Sequence, residues 1–138
     1  MKFILLAIIC ITATACDPIC FHPCSQWTSS ESANLEDISK KQKSTLVQVT
    51  ADWCVNCRVK EELVLNSPEV KNILSGMNID LVRADLTKKN PTTQKWLDKI
   101  DVGSNLPIYV FFPEDDLNNP IMLPSDLIKQ DIRDLQNI

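Results

Sequence analysis

Short apolar runs and longer amphipathic segments alternate along this chain. Residues 46–50, 79–84 and 107–112 are rich in β-branched or aromatic side chains, which predicts three strands. The run at 107–112 is apolar at nearly every position, so we expect a central strand that is buried on both faces. Residues 121–123 predict a fourth strand, and the connection before it is short enough for an antiparallel hairpin.

The segments between the strands carry apolar residues at helical spacing, and several begin with a residue that caps helices. Serine and asparagine accept hydrogen bonds from first-turn backbone N–H groups, and proline suits the first helical position. We therefore predict helices at residues 33–43, at 54–65, from Ser67-Pro68, from Asn90-Pro91, and from Ser125 to about Leu135.

The alternation of α and β elements, followed by a hairpin and a last helix, indicates an α/β sandwich. Its central sheet should be mixed, parallel in its first part and antiparallel at the hairpin, with helices on its faces. The 138 residues suit one ordinary domain. We place that domain at residues 33–138.

The N-terminal residues have a different composition. Residues 1–15 combine a positive start, an apolar run and a small-residue end, which predicts a secretory signal peptide. An uncleaved anchor is the alternative, although the apolar run is too short to span a bilayer. Residues 16–32 contain prolines and cysteines without apolar periodicity, so we expect a flexible tether.

Cys16 follows the predicted cleavage point and resembles the lipidated first residue of bacterial lipoproteins. Ala13-Thr14-Ala15 fits ordinary signal peptidase equally well, so both outcomes stay open. Acyl chains on Cys16 would anchor the protein on a membrane surface without a spanning segment. We expect an exported protein of the bacterial periplasm, either free or anchored through lipid.

The net charge of -4 is mild, with neither a basic patch nor an acidic tail. This pattern argues against a nucleic-acid partner. We also expect a monomer.

Cys54 and Cys57 follow directly after the strand at 46–50 and carry the candidate chemistry. A helix that begins here places Cys54 at its N-terminus, where unpaired N–H groups and the helix dipole favour a thiolate. Cys57 lies one turn further on, within reach of Cys54. This arrangement suits thiol–disulfide exchange. A structural disulfide or half a zinc site is the alternative, but a cysteine-only zinc site needs a second pair in the core.

Cys20 and Cys24 lie in the predicted tether. Because disulfides persist outside the cytosol, the simplest interpretation is a second disulfide that closes a small loop. A second redox pair stays open, as does a soft-metal site that also uses Cys16 and His22.

Two strings, together with the element order, resemble the thioredoxin fold. They are Cys54-Val55-Asn56-Cys57 after a strand and Asn105-Leu106-Pro107 before the central strand. Asp52-Trp53-Cys54-Val55-x-Cys57, followed by a basic residue, is similar to the C-terminal domain of DsbD-type thiol:disulfide interchange proteins. The resemblance runs from about Ala33 to Leu135.

The resemblance implies a role for each matching residue. Cys54 would be the nucleophile and Cys57 the resolving thiol. Pro107 would be a cis-proline whose loop faces the cysteine pair, and Leu106 would offer backbone groups to an extended partner segment. Trp53 would be either a substrate-facing platform or a lid over the thiols.

One position departs from the family. Six residues before the first cysteine the family usually has a buried aspartate, and this chain has Gln48. Glutamine cannot accept a proton, so proton transfer to or from Cys57 would need Glu61, Asp52 or water. Glu61 matches the helix-borne glutamate of the DsbD-type domain.

These features predict thiol–disulfide exchange with partner proteins, and the resemblance implies a protein-disulfide reductase. We expect no metal and no organic cofactor, because the redox group is the Cys54–Cys57 disulfide itself. The resemblance implies a separate electron donor in the membrane. The alternative function is a thioredoxin-fold metallochaperone or assembly factor that binds copper through its cysteines.

Overall fold

The computed structural model describes residues 27–29, 35–103 and 105–138. Its centre is a five-stranded mixed sheet with the strand order β1-β3-β2-β4-β5. The first three strands in that order run parallel, and β4 is antiparallel to both β2 and β5. The strands are β1 (Thr28–Ser29), β2 (Thr45–Thr50), β3 (Asp80–Asp85), β4 (Ile108–Phe112) and β5 (Ile121–Leu123).

Four α-helices and three 3₁₀ helices surround this sheet in the described part of the chain. The first α-helix continues without a break into a π-helical turn, Glu61–Leu65. The α-helices are α1 (Val55–Lys60), α2 (Pro68–Gly76), α3 (Pro91–Lys99) and α4 (Lys129–Asp134). The 3₁₀ helices are Leu35–Lys40, Glu114–Asp116 and Leu135–Asn137. The predicted α/β sandwich with a mixed central sheet is therefore confirmed.

The sheet buries a hydrophobic core on each face. Every residue of β2 and β4 is buried, as the apolar run at 107–112 predicts for a strand with neighbours on both sides. One face packs against α3 and the 3₁₀ helix Leu35–Lys40. The opposite face packs against α2, α4 and the π-helical turn. Side chains alternate between the two faces along each strand, so neighbouring residues enter different cores.

The predicted starts of α2 and α3 are confirmed by their caps. The Ser67 hydroxyl accepts a hydrogen bond from the Val70 N–H at 3.4 Å, and the Asn90 side chain accepts one from the Thr93 N–H at 3.1 Å. Each helix begins with a proline, at Pro68 and Pro91.

Three predicted boundaries are wrong. The helix predicted at 33–43 is a 3₁₀ helix in its described part, and it ends at Lys40. The last helix begins at Lys129 rather than after Ser125, because the Asp131 carboxylate caps the later start by accepting from the Ile128 N–H at 2.7 Å. Thr28 and Ser29, predicted as tether, pair with β3. Backbone groups on the outer edge of β3 gain hydrogen-bond partners from this short strand.

The predicted signal peptide at 1–15 lies outside the described residues, as do Cys16, Cys20 and Cys24. Among the helices that the structure describes, none has the length and apolar character needed to cross a membrane.

An ion-pair cluster joins the start of β3 to the segment before β2. The Asp80 carboxylate accepts from Lys43 Nζ at 2.6 Å and from Lys41 Nζ at 3.3 Å. The hydrogen bond from Lys43 is the main reason that the pKa of Asp80 lies below its usual range. The Asp80 side chain is 32% exposed, so solvent screening limits what this cluster contributes to stability.

We expect Asp80→Asn to lower the free energy of unfolding by about 0.5 to 1 kcal/mol near pH 7. A carboxyl whose pKa is lowered on folding stabilises the fold above its unfolded pKa, and this contribution is lost as pH falls through the folded value. The deficit should therefore disappear in acid, as measured by urea unfolding at about pH 7 and about pH 2. The control is Asp115→Asn, because Asp115 is exposed and forms no ion pair among the described residues. An equal deficit at both pH values would contradict the assignment.

Candidate functional site

The candidate site begins where the chain leaves β2 and enters α1. The Cys54 N–H donates to the Ala51 carbonyl at 3.0 Å, which closes a tight turn between the two elements. The Asp52 N–H donates to the Thr87 hydroxyl at 2.8 Å, which ties this turn to the loop after β3. Cys54 has extended backbone angles and occupies the N-cap position of α1. The sequence prediction for Cys54 at the helix start is therefore confirmed.

Cys54 and Cys57 form a disulfide, with their Cα atoms 5.3 Å apart. The Cys57 backbone N–H donates to Cys54 Sγ at 3.2 Å. In the reduced protein, a donor at this position stabilises negative charge on the Cys54 sulfur. Cys54 is 7% exposed and Cys57 is 0% exposed. Cys54 is therefore the less buried of the two cysteines, and the nucleophile and resolving roles implied for the pair stay predictions.

The loop before β4 packs against this disulfide. The Leu106–Pro107 peptide bond is cis, as the family resemblance implies. Leu106 and Leu86 pack against the cluster formed by Ala51 and the two cysteines. The tertiary structure therefore brings Leu106 beside the cysteine pair, although about fifty positions separate them in the chain.

Trp53 is 64% exposed and lies on the solvent side of the site. Together with Leu86 and Leu106 it lines an open groove of about 500 Å³. A large exposed aromatic ring beside the accessible sulfur is suited to contact a bound partner. The two interpretations of Trp53, as a substrate-facing platform or as a lid over the thiols, both stay predictions.

A polar row crosses the sheet on the face that the π-helical turn, α2 and α4 cover. Gln48 of β2 pairs in register with Tyr109 of β4 and with Arg83 of β3. Gln48 is 0% exposed, and its amide nitrogen and oxygen have no hydrogen-bond partner among the described residues. The Tyr109 hydroxyl also lacks a partner in that part of the chain. Buried polar atoms are nearly always hydrogen-bonded in native proteins, so this cluster is unusual.

Burial raises the pKa of Tyr109 well above its usual range, and the negative charge of Glu61 adds to the shift. Tyr109 is therefore neutral at physiological pH. Glu61 lies one turn after Cys57 in the same continuous helix, so both side chains are on its sheet-facing side.

Arg83 holds Glu61 in place through a hydrogen bond of 2.7 Å to its carboxylate. Glu61 also begins the π-helical turn, and its carbonyl accepts from the Asn66 N–H at 2.7 Å. The structure places both proton-transfer candidates. Glu61 is half-buried against the polar row, and Asp52 is exposed beside Trp53 of the groove. Sequence analysis missed Arg83 and Tyr109. The sequence did contain one signal, because Arg83 is a basic residue within an apolar strand. Only the strand register shows which residues Arg83 faces.

No group of three or more histidine, cysteine, aspartate or glutamate side chains within the described ranges is arranged to hold a metal ion. The tether residues proposed for a soft-metal site lie outside those ranges.

The model of the thioredoxin-like family matches residues 26–114, which is more than half of the chain. The chain belongs to the thioredoxin-like family. The matched residues contain the cysteine pair, the cis-proline and the polar row.

Sequence relatives of this thioredoxin-like chain include thiol:disulfide interchange proteins. DsbD 1 of Pseudomonas aeruginosa is 33% identical over 84 residues, which are 61% of this chain and 14% of that protein. DsbD of Haemophilus influenzae is 29% identical over 104 residues, which are 72% of this chain and 17% of that protein. The chain therefore matches a small part of these much longer relatives.

Solved structures show the same fold. The oxidised C-terminal domain of DsbD from Neisseria meningitidis has a TM-score of 0.61 at 18% identity, and the match covers 80% of this chain and 97% of that domain. A thioredoxin from Thermus thermophilus has a TM-score of 0.58 at 17% identity, with coverage of 80% and 85%. The predicted thioredoxin-like fold is confirmed.

Proposed function

We propose that this thioredoxin-like chain is an exported protein-disulfide reductase that acts through Cys54 and Cys57. The observation that carries the proposal is the Cys54–Cys57 disulfide at the start of α1, with Cys54 as the less buried of the two cysteines beside an open groove. The thiol:disulfide interchange relatives support this reaction class.

The reaction needs two exchange steps. In the reduced protein, the Cys54 thiolate attacks one sulfur of a partner disulfide, which breaks the partner's S–S bond and releases its other sulfur as a thiolate that takes up a proton. Cys57 then loses its proton and attacks Cys54 Sγ. The second partner sulfur leaves as a thiolate, and Cys54 and Cys57 end as a disulfide. The partner has gained two electrons and the reductase has lost them.

The second step requires an acceptor for the Cys57 proton. Gln48 cannot serve, so Glu61 is the favoured group because it shares the sheet-facing side of the helix with Cys57. The Arg83 ion pair orients this carboxylate. Asp52 and water are the alternatives on the exposed side.

A separate donor must return two electrons to the Cys54–Cys57 disulfide after each cycle, and we propose a membrane protein for this role. No other redox cofactor is needed for the exchange itself. Export is proposed from the composition of residues 1–15, and anchoring through Cys16 from the residues before it. The intact mass of the mature protein distinguishes a lipidated Cys16 from a free one.

The direction of electron flow is tested by the reduction potential of the Cys54–Cys57 pair. Related cysteine pairs range from about -270 mV in reductants to about -120 mV in oxidants. We expect a value near the reducing end, measured by equilibration with thiol buffers and quantification of free thiols. A value near the oxidising end would overturn the reductase assignment while leaving thiol–disulfide exchange intact.

A further inference from the structure

The groove beside Cys54 has two chemically different ends. Its apolar end is formed by Trp53, Leu86 and Leu106, next to the disulfide. Its far end is formed by the loop after β3 and the first turns of α3, where Lys88, Lys89 and Lys95 line the groove. A segment bound at Cys54 and extended along the groove would pass from apolar to cationic surroundings.

The lysines of the groove are free to bind a partner. None of the three forms an ion pair within the described part of the chain, and all three are exposed. Three carboxylates lie nearby, and the exposed Asp52 and Asp85 line the adjoining surface together with Lys88 and Lys89. Two of the three accept hydrogen bonds from neutral donors. Asp85 accepts from the Thr87 N–H at 2.7 Å, and Asp98 accepts from Gln94 Nε2 at 3.2 Å. Lys88, Lys89 and Lys95 outnumber Asp98 among the residues that line the groove, so the lining carries net positive charge on a chain whose net charge is -4.

We propose that the protein segments reduced at this site are acidic next to an apolar residue. The apolar side chain contacts Trp53 and Leu106 beside the attacked cysteine, and carboxylates further along the segment face Lys88 and Lys89. The positive end of α3, which Asn90 caps at the same place, also favours these negative charges. This inference rests on the proposed reductase function and adds the class of substrate.

The expected selectivity is moderate because the lysines are solvated. Exposed ion pairs each contribute little and are screened by salt, so two such contacts correspond to about a three- to tenfold preference. Complementary charge also steers encounter, which increases the rate of association at low ionic strength. The preference should therefore appear in kcat/KM and fall as salt is added.

The test uses two synthetic peptides with the same disulfide and the same apolar residue beside it, flanked in one by glutamates and in the other by lysines. We expect the wild-type protein to reduce the acidic peptide about three- to tenfold more efficiently at low salt. Lys88→Glu combined with Lys89→Glu should reverse this preference. Lys71→Glu combined with Lys99→Glu changes the net charge equally outside the groove and should retain it.

The small uncharged compound hydroxyethyl disulfide distinguishes a failure of the proposed substrate class from a failure of the proposed reductase function. If it is reduced while the peptides show no charge preference, or if the Lys88/Lys89 variant keeps the preference, the substrate class is wrong and the reductase function stands. If the reduced protein acts on neither the peptides nor hydroxyethyl disulfide, the proposed function itself fails.

Discussion

Cys57→Ser is expected to convert the protein into a trap that holds its partners through mixed disulfides. Cys54 keeps its N-cap position and the backbone N–H of residue 57, because serine changes only the buried side chain. The first exchange step therefore proceeds. Serine cannot attack the Cys54–partner disulfide, so turnover should fall by orders of magnitude while adducts accumulate.

The adducts can be measured by non-reducing electrophoresis and mass spectrometry after incubation with disulfide-bonded proteins, and dithiothreitol should release them. Cys54→Ser is the matched control, because of the two cysteines of the pair it leaves only Cys57, which is 0% exposed. We expect few adducts from this variant. Equal trapping by both variants, or none from Cys57→Ser, would contradict the roles given to the two cysteines.

Gln48→Asp should make both stability and thiol reactivity depend on pH. The new carboxyl would lie in a fully buried position, where desolvation raises its pKa above the value of about 3.9 in the unfolded chain. A group with a raised folded pKa contributes its stability in acid and loses it as pH rises through that value. We therefore expect a small deficit near pH 4 and a deficit of about 3 kcal/mol near pH 8, for a shift of about two pKa units.

The same substitution should move the alkylation of Cys57 to higher pH. Residue 48 belongs to the polar row on the face that the π-helical turn covers, and this turn continues the helix that carries Cys57. An ionised carboxylate there is expected to disfavour a second negative charge on the Cys57 sulfur. The measurement is the rate of alkylation against pH in a Cys54→Ser background, together with urea unfolding at each pH. An unchanged alkylation profile would count against any electrostatic coupling between the two positions.

Gln48→Met is the matched control for this experiment. Methionine has a similar length, has no group that titrates in this range, and removes the two amide atoms that lack partners. We expect the variant to be as stable as wild type or up to about 2 kcal/mol more stable, with no dependence on pH. An equal, pH-independent loss in both variants would assign the effect to packing rather than to charge, and a pH-dependent loss in Gln48→Met would assign it to a group other than the new carboxyl.

Local patterns predicted most of the elements because the relevant interactions are local. The caps at Ser67 and Asn90 act within one turn, and the apolar run at 107–112 has no polar position that could face solvent. The predicted start of the last helix is wrong because the segment contains two side chains that can cap a helix, Ser125 and Asp131. Ser125 comes first in the chain, but the Asp131 carboxylate accepts a hydrogen bond from the Ile128 N–H, and the helix begins at the next residue, Lys129.

The sequence by itself determined the reactive pair, because a helix start and a spacing of three residues are short-range properties. It also determined the fold class, through the order and periodicity of its elements. Only the tertiary structure decided what surrounds the pair. Strand register aligns Gln48, Tyr109 and Arg83, and chain folding brings the Lys88–Lys89 loop to the groove at Trp53. These relations depend on contacts between distant segments, which no local pattern of side chains encodes.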